Sequence, residues 1–477
     1  MGGGRTAMKA YLRLAMVTIA VGTATTTFSA SADEAPAAPT PTEQTPAVQA
    51  PPAASAGEVE ALKRQNAELQ QRLEKLSGEM DQIRSQLAER EKPVVAQPPT
   101  KKPVTGILDM EIYGYVKLDA AYDTDRISFG DYLRWVESEQ LIRNDNQFNL
   151  TANETRLGVR VKGPATEDFR SSGDVEIDFY SFVGSEFTPS PRMRYAYVNF
   201  EWPNAGIGVL AGQAPDVISP LTEPTVNFAV GWWLGDIGFR RPQLRLTKTF
   251  NVAENTQFKL EAAATRTVAG KFLGGSDFST DAGADAGFPA VQGRASVTFP
   301  GFEKRPSTLA VWGHWGNEEH DLTNTTQVAH HSFHSRSWST GFDVVLPLMA
   351  WLKLQGSGFM GSDLDTYLGG IGQGVNGVLL EPIDDKGIWG AVTLGPWGRW
   401  LFNAGYSKDD PDNGDLTGTS NPATDPRASN ESIFGNTYYS LNANLQLALE
   451  VMHARTTYKS VERGDDWRYQ FATIYKF

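Results

Sequence analysis

The feature that most constrains this chain is a two-residue alternation of apolar and polar side chains, which recurs from residue 107 to residue 477. In segment 110–119, Met, Ile, Gly, Val and Leu occupy one parity, and Glu, Tyr, Tyr, Lys and Asp the other. Segments 174–179, 242–248, 292–299 and 337–346 repeat the pattern. Successive side chains of a strand point to opposite faces, so the pattern predicts many strands with one apolar face each.

Two β architectures fit such strands: a sandwich with one wet face, or a transmembrane barrel. The alternation extends over the whole region, Trp and Tyr lie near segment ends, and the chain ends in a strand pattern with Phe477. These features favour an all-β fold, a 16-stranded antiparallel transmembrane β-barrel around an aqueous channel. The predicted strands lie near 108–123, 147–162, 169–182, 191–202, 205–213, 239–250, 257–267, 290–299, 308–317, 335–346, 351–360, 386–394, 399–407, 432–442, 444–457 and 466–477.

The N-terminus has the pattern of an export signal. Three basic residues precede an apolar stretch at 14–21, and small residues follow up to Ala32. The pattern predicts a signal peptide over 1–32, with an uncleaved anchor as the alternative. An exported barrel is expected in the cell outer membrane. The segment 33–57 is rich in Ala and Pro and predicts an extended linker, and residues 93–106 predict a second one.

Between the two linkers, residues 58–92 carry an a/d heptad pattern over about four heptads. This predicts a short periplasmic α-helical coiled coil that makes the protein a homo-oligomer, while a lone amphipathic helix is the alternative. Asn66 lies at an a position, where a polar side chain fixes register and oligomer number. The residue types at the a and d positions do not distinguish a dimer from a trimer. The predicted oligomerisation residues are Leu62, Asn66, Leu69, Leu73, Leu76, Met80, Ile83 and Leu87.

Several motifs of the barrel region occur in an order and spacing known from one family. They include Ile112–Asp119 at the first strand, Arg156–Val159 in the second, Arg194–Val198 and Asp409–Asp412. With the N-terminal coil, they make the mature chain resemble the DcaP-type porins among the general trimeric porins. The resemblance implies a homotrimer in contact with outer-membrane lipid and lipopolysaccharide. It also implies uptake of small anionic solutes of the dicarboxylate type.

Basic residues on the channel-facing parity are the candidates for solute selection, because a pore selects by width and lining charge. Leu157, Val159 and Val161 define the outward parity of the second strand. Tyr195 and Tyr197 are expected to face outward, which places Arg194 inside beside Ala196. The predicted pore-lining bases are Lys117, Arg156, Arg160, Arg194, Arg241, Arg245 and Arg294. The resemblance implies that Arg156 and Arg194 belong to the basic wall of a constriction. The alternative is that lumen arginines pair with lumen carboxylates and stiffen the wall.

The long segment 214–239 between the fifth and sixth strands carries the acidic residues Asp216, Glu223 and Asp236. In the resembling family this connection folds into the barrel and narrows it. We therefore expect an acidic loop to face the basic wall and to create a field across the pore. An ordinary surface loop is the alternative.

Other functional classes receive less support. The chain has no Cys, and its net charge of −13 argues against a nucleic-acid partner. We predict no cofactor and no metal site, although His330, His331 and His334 cluster in one polar loop. We predict no enzymatic activity, because no Ser partner for His453 can be placed. Two alternatives to the dicarboxylate channel stay open. One is a phosphate- or oxyanion-selective porin, and the other is a tether that binds peptidoglycan through the coil.

Overall fold

The computed structural model describes Lys75 and residues 109–477, except residues 144, 164, 181–188, 269–285 and 323–330. Nineteen strands follow one another in this part of the chain. They are β1 (Asp109–Asp123), β2 (Gln147–Thr151), β3 (Arg156–Lys162), β4 (Arg170–Asp178), β5 (Arg192–Trp202), β6 (Ile207–Pro215), β7 (Arg240–Ala253), β8 (Thr256–Thr265), β9 (Ala290–Pro300), β10 (Pro306–Leu322), β11 (His331–Met349), β12 (Leu352–Ser362), β13 (Val375–Asn376), β14 (Glu381–Pro382), β15 (Asp384–Trp397), β16 (Trp400–Asp409), β17 (Arg427–Ser440), β18 (Leu445–Tyr458) and β19 (Gly464–Lys476).

The strands form one closed antiparallel barrel. Each barrel strand pairs with its neighbour in sequence, and β1 pairs with β19 to close the sheet. β2 and β3 both pair with β1, over Asp119–Asp123 and Asp109–Tyr115 respectively, so they are two halves of one strand interrupted at residues 152–155. β13 and β14 form a separate hairpin. The barrel therefore has sixteen strands, and the predicted fold class is confirmed.

The alternation along each strand separates a wet interior from an apolar outer surface. On β1, Val116 and Leu118 are 50% and 43% exposed, whereas Lys117 and Asp119 between them are buried. β4 shows the same split, with Val175 exposed between Asp174 and Glu176. Apolar side chains on the outside and polar ones inside are the pattern of a membrane barrel. Within the described residues, no helix has the length and apolarity to cross a membrane.

The two ends of the barrel differ in the length of their connections. Short turns such as 203–206 and 398–399 join the strands at one end, and long loops join them at the other. Three of these long loops are named here by their order: loop A (124–146), loop B (216–239) and loop C (363–383). All three contribute buried apolar side chains to clusters inside the barrel, including Leu133 from loop A, Leu234 from loop B and Leu364 from loop C.

The apolar clusters rest on inward-facing apolar residues of the wall. Leu133 and Leu234 pack with Trp389, Phe434 and other residues of β15–β18. Ile218 and Ile237 of loop B pack with Trp312, Phe359 and loop C. If these wall positions were polar, the apolar side chains of the loops would have no apolar surface to pack against. The apolar residues of the wall therefore allow the loops to bury their apolar side chains inside the barrel. The signal peptide, both linkers and the coiled coil lie outside the described residues, apart from Lys75, and stay predictions.

Candidate functional site

Loop B crosses the channel and leaves a cavity between itself and the strands β3, β5 and β7. The cavity has a volume of about 300 Å³. Arg156, Arg194 and Arg240 line its strand side, and Phe228, Trp232 and Phe239 of loop B line the other. Asp216 is the one acidic lining residue. The cavity is therefore a constriction with an arginine wall opposite an aromatic loop surface.

A β-bulge in β5 brings Arg194 into this wall. Glu176 of β4 pairs with Tyr195 and the next residue, Ile177, pairs with Met193, so Arg194 is the extra residue. Bulges re-aim side chains in this way. Tyr195 and Tyr197 lie opposite the inward-facing Glu176 and Asp174, so the prediction that both tyrosines face outward is wrong. Ala196 lies opposite the exposed Val175 and therefore faces outward, unlike the two tyrosines on either side of it.

Arg194 is held by two carboxylates of β4. Its Nε lies 2.5 Å from Oε1 of Glu176, and its Nη1 lies 2.8 Å from Oδ2 of Asp178. Arg192 donates two hydrogen bonds to the same Asp178, at 2.9 and 2.7 Å. These bonds fix both guanidinium groups, and the acids offset much of their charge.

Arg156 and Arg240 differ from the other bases of the constriction. In the described part of the chain, neither has a carboxylate oxygen within 4.0 Å, and the Nε of Arg156 and Nη2 of Arg240 are buried without an acceptor. Aromatic rings support them instead. Arg156 lies 5.3 Å from the ring centre of Tyr115, and Arg240 lies 4.6 Å from that of Phe239 and 5.6 Å from that of Trp232. A guanidinium group beside a cavity that has no carboxylate partner keeps a net positive charge, which attracts an anionic solute.

The other predicted pore-lining bases face inward but are paired with acids. The shortest contacts are Lys117 to Glu154 at 2.5 Å, Arg160 to Asp174 at 3.2 Å, Arg241 to Asp216 at 2.7 Å, Arg245 to Glu261 at 3.9 Å and Arg294 to Asp343 at 2.8 Å. Structural pairing therefore accounts for most of the lumen bases. Arg156 is the one member of the predicted set without such a partner among the described residues.

Of the three acidic residues of loop B, Asp216 lines the cavity, but Glu223 and Asp236 do not face the arginine wall, and this differs from the predicted field across the pore. Asp216 pairs with Arg241 at the base of the loop. Glu223 and Asp236 are 2% and 1% exposed, and both lie where the loop packs on the barrel wall. Burial raises the pKa of Glu223 to about 8 and raises the pKa of Asp236 well above its ordinary value. The surface of loop B that faces the cavity is thus mostly aromatic and uncharged.

Glu450 of β18 fastens loop B to the barrel wall. Its carboxylate accepts hydrogen bonds from the backbone N–H groups of Val226 and Asn227 at 2.7 and 3.2 Å, and from the hydroxyl of Thr225 at 2.8 Å. Lys117 adds a bond from its Nζ to the carbonyl of Val226 at 3.0 Å. These contacts hold the middle of loop B against β18 and β1, and β1 is the direct neighbour of β3, which carries Arg156.

Three residues that shape this site were not predicted from the sequence. Arg240 has the outward parity of β7, but it is the first residue of the strand and turns into the cavity beside Trp232. Arg192 lies one step before the β5 bulge. Glu450 has the inward parity of β18, which alternation does show, but no pattern indicates that loop B reaches it.

The structure places several of the residues that could bind a metal or act in catalysis. His334 is exposed and lies 3.7 Å from Glu319, while His330 lies outside the described residues. Glu318, Asp363 and Asp365 bring three carboxylates within 4.8 Å of one another. His314 lies 2.6 Å from the hydroxyl of Ser339, but the pair is buried. No carboxylate hydrogen-bonds this imidazole among the residues with described side chains, because its other nitrogen contacts the hydroxyl of Ser337.

Solved structures share the fold of this chain. The outer membrane channel DcaP of Acinetobacter baumannii is 18% identical, covers 79% of this chain and 99% of its own, and superimposes with a TM-score of 0.60. The anion-selective porin of Comamonas acidovorans is 11% identical, with coverages of 78% and 100% and a TM-score of 0.51. No family model matches the sequence, and no curated protein does. The likeness confirms the predicted resemblance at the level of the fold.

Proposed function

We propose that the protein is an outer-membrane diffusion channel that selects small anionic solutes, with dicarboxylates as the preferred class. The observation that carries this proposal is the pair Arg156 and Arg240, two guanidinium groups that line the cavity and have no carboxylate partner among the described residues. A guanidinium binds a carboxylate through two parallel hydrogen bonds, and it keeps its charge at physiological pH.

The uncharged loop surface supports the same selectivity. A cation in the cavity meets the arginines on one side and receives little compensation from loop B, because Glu223 and Asp236 face the barrel wall. An anion meets guanidinium groups on the strand side and a mostly aromatic surface on the loop side. DcaP is described as an outer membrane channel and the Comamonas porin as anion-selective, which agrees with this proposal.

Planar bilayers test the selectivity. Under a tenfold KCl gradient, the reversal potential of the purified protein is expected to show preference for chloride over potassium. Adding succinate, phthalate or phosphate on one side is expected to block the chloride current, with the diacids effective at lower concentration than phosphate. A preference for potassium would refute the proposal, and stronger block by phosphate would replace the diacid class with the oxyanion class.

The oligomeric state belongs to the same proposal. We infer a homotrimer whose coil at 58–92 lies in the periplasm: the heptad seam predicts association of helices, and the resemblance to trimeric porins implies the number three. Deleting residues 33–92 distinguishes a channel from a cell-wall tether. Unchanged uptake and loss of peptidoglycan binding would assign the coil to tethering. Loss of the trimer would assign it to assembly.

A further inference from the structure

Loop B is held on the barrel wall by carboxyl groups of two kinds. Glu450 receives hydrogen bonds from loop B and a further one at 2.9 Å from Nδ2 of Asn436. These donors hold the carboxylate of Glu450 against the middle of loop B, so Glu450 forms an anchor for the loop.

Glu223 and Asp236 have the opposite environment. Both oxygens of Glu223 and Oδ2 of Asp236 are buried without a hydrogen-bond partner. The two side chains flank Gly231, where an added Cβ would lie 3.0 Å from Cγ of Glu223 and 3.1 Å from Cβ of Asp236. The other oxygen of Asp236, Oδ1, accepts hydrogen bonds from the hydroxyl of Ser219 at 2.7 Å and from the backbone N–H of Ile237 at 3.0 Å. A buried carboxylate with unpartnered oxygens and no cation beside it costs several kcal/mol, so such a group takes up a proton instead.

Where the structure describes the surrounding elements, they supply no cation to Glu223 or Asp236. β16 presents the hydroxyl of Ser407 to Glu223, and β15 presents the indole of Trp389 to Asp236. The nearest ionisable groups on the wall are acidic, namely Glu450 on β18 and Asp343 on β11. The other charged groups of the adjoining strands are bases that are paired with an acid, or are acids themselves. Arg294 is bonded to Asp343, and Lys408 is paired with Asp410. Asp385 and Asp409 lie buried near loop C.

Gly235 shows how closely this part of loop B packs on the wall. An added Cβ there would lie 2.5 Å from the carbonyl oxygens of both Ile388 and Lys408. The loop segment 228–236 therefore has no room for a hydrated charge between itself and β15–β16. Ionisation of an acid at this position requires water to enter and the segment to move away.

We propose that Glu223 and Asp236 form a pH-dependent latch, which holds segment 228–236 of loop B on the barrel wall while both carboxyl groups are protonated and releases it when they ionise. The anchors at Glu450 and Asp216 keep the remainder of the loop in place. Release widens the constriction on its aromatic side, while the arginines stay on their strands.

The direction of the pH effect follows from burial. The pKa of Glu223 is raised from 4.5 to about 8 when the loop is packed. The packed loop is therefore most stable in acid, and it loses stability as the pH rises from about 4.5 to about 8. When release of the loop is coupled to the loss of one such proton, the ratio of released to packed loop rises by as much as about tenfold per pH unit in this interval.

The absence of cysteine in the chain allows a direct test. Ala229 is fully buried, so the substitution Ala229→Cys places a thiol that a water-soluble maleimide reaches after release. A second protein with Ser420→Cys, at an exposed position, corrects for thiol ionisation. In the full-length channel, the corrected labelling rate is expected to rise between pH 6 and pH 8 by as much as about 100-fold.

The variant Glu223→Gln decides the outcome, because it keeps the size of the side chain and removes the proton equilibrium. In the Ala229→Cys background it is expected to give a corrected labelling rate with a much smaller dependence on pH. Glu254→Gln, in the exposed β7–β8 turn, is the matched control and is expected to retain the full rise. The proposal would be overturned if the corrected labelling rate rose equally with pH in Glu223→Gln, or if it did not rise in the Ala229→Cys protein with Glu223 intact.

Two further measurements keep the result interpretable. Heat-modified migration in gels shows whether each variant still forms the barrel, and Glu223→Leu serves if the Gln variant does not fold. The labelling readout does not depend on which ion the channel prefers. A failed latch with intact chloride selectivity would therefore leave the proposed function standing, and a working latch in a cation-selective channel would refute only that function.

Discussion

The substitution Arg156→Gln is the sharpest test of how the constriction works, because it removes a positive charge that is not paired with an acid in the described part of the chain. A unit charge interacts with another at 4 Å by about 1 kcal/mol in water and by about 4 kcal/mol near a protein surface. The constriction is narrow but wet, and Arg156 is partly exposed. We therefore expect a loss of roughly 1–2 kcal/mol of preference for anions, which corresponds to a fall of about 5- to 30-fold in the chloride-to-potassium permeability ratio.

Arg160→Gln is the matched control on the same strand and the same face. Arg160 lies four residues from Arg156, about 13 Å along a strand, and its charge is offset by Asp174. At 0.1 M salt the screening length is about 10 Å, so the control is expected to change the permeability ratio by less than about twofold. Reversal potentials in 0.1 M and 1 M KCl measure both variants. Equal effects of the two substitutions would refute the assignment of selectivity to arginines without acid partners.

Three further outcomes follow from contacts of loop B, the wall and loop C. Glu450→Ala leaves several buried donors of loop B unpaired, at a cost of about 1–3 kcal/mol each, which loosens the loop. The noise of the open-channel current is therefore expected to rise sharply in Glu450→Ala, and to rise by a smaller amount in Glu450→Gln. Arg468→Met leaves the buried carboxylate of Asp123 without its partner and is expected to lower the free energy of unfolding in urea by about 3–5 kcal/mol, part of which Asp123→Asn restores. Burial, with a contribution from neighbouring Asp363, raises the pKa of Asp365 in loop C to about 8. The melting temperature is therefore expected to fall as the pH rises from about 4 to about 8, and to change less with pH in Asp365→Asn.

The strands could be predicted from the sequence because their side chains obey one local rule. Membrane on one side and water on the other impose a period of two, so each of the sixteen predicted segments overlaps a barrel strand. Even the interrupted second strand lies within the predicted segment 147–162. The rule fails where the geometry departs from regular pairing. The β5 bulge turns Arg194 and Tyr195 to the same side, and alternation cannot show this.

The interior was less predictable because it depends on contacts between distant parts of the chain. The length and aromatic content of segment 214–239 indicated a packed loop, but not which of its faces carries charge. Glu223 and Asp236 point to the wall because β15 and β16 offer Trp389 and Ser407 there, more than 150 residues away in sequence. Likewise, nothing in loops A and C indicates that Leu133 and Leu364 pack inside the barrel.

The distribution of partners among the lumen arginines has a physical consequence for selection. An arginine that is paired with an acid, as Arg241 is with Asp216, stiffens the wall and offers a passing ion little net charge. An arginine packed on aromatic rings, as Arg240 is, keeps its charge and its donors for the solute. Glu223 and Asp236 of loop B face the barrel wall and Asp216 is paired with Arg241, so the proposed selectivity rests on the arginines of the strand side. Under the proposed function, an anion is drawn toward these arginines and passes along the aromatic surface of loop B.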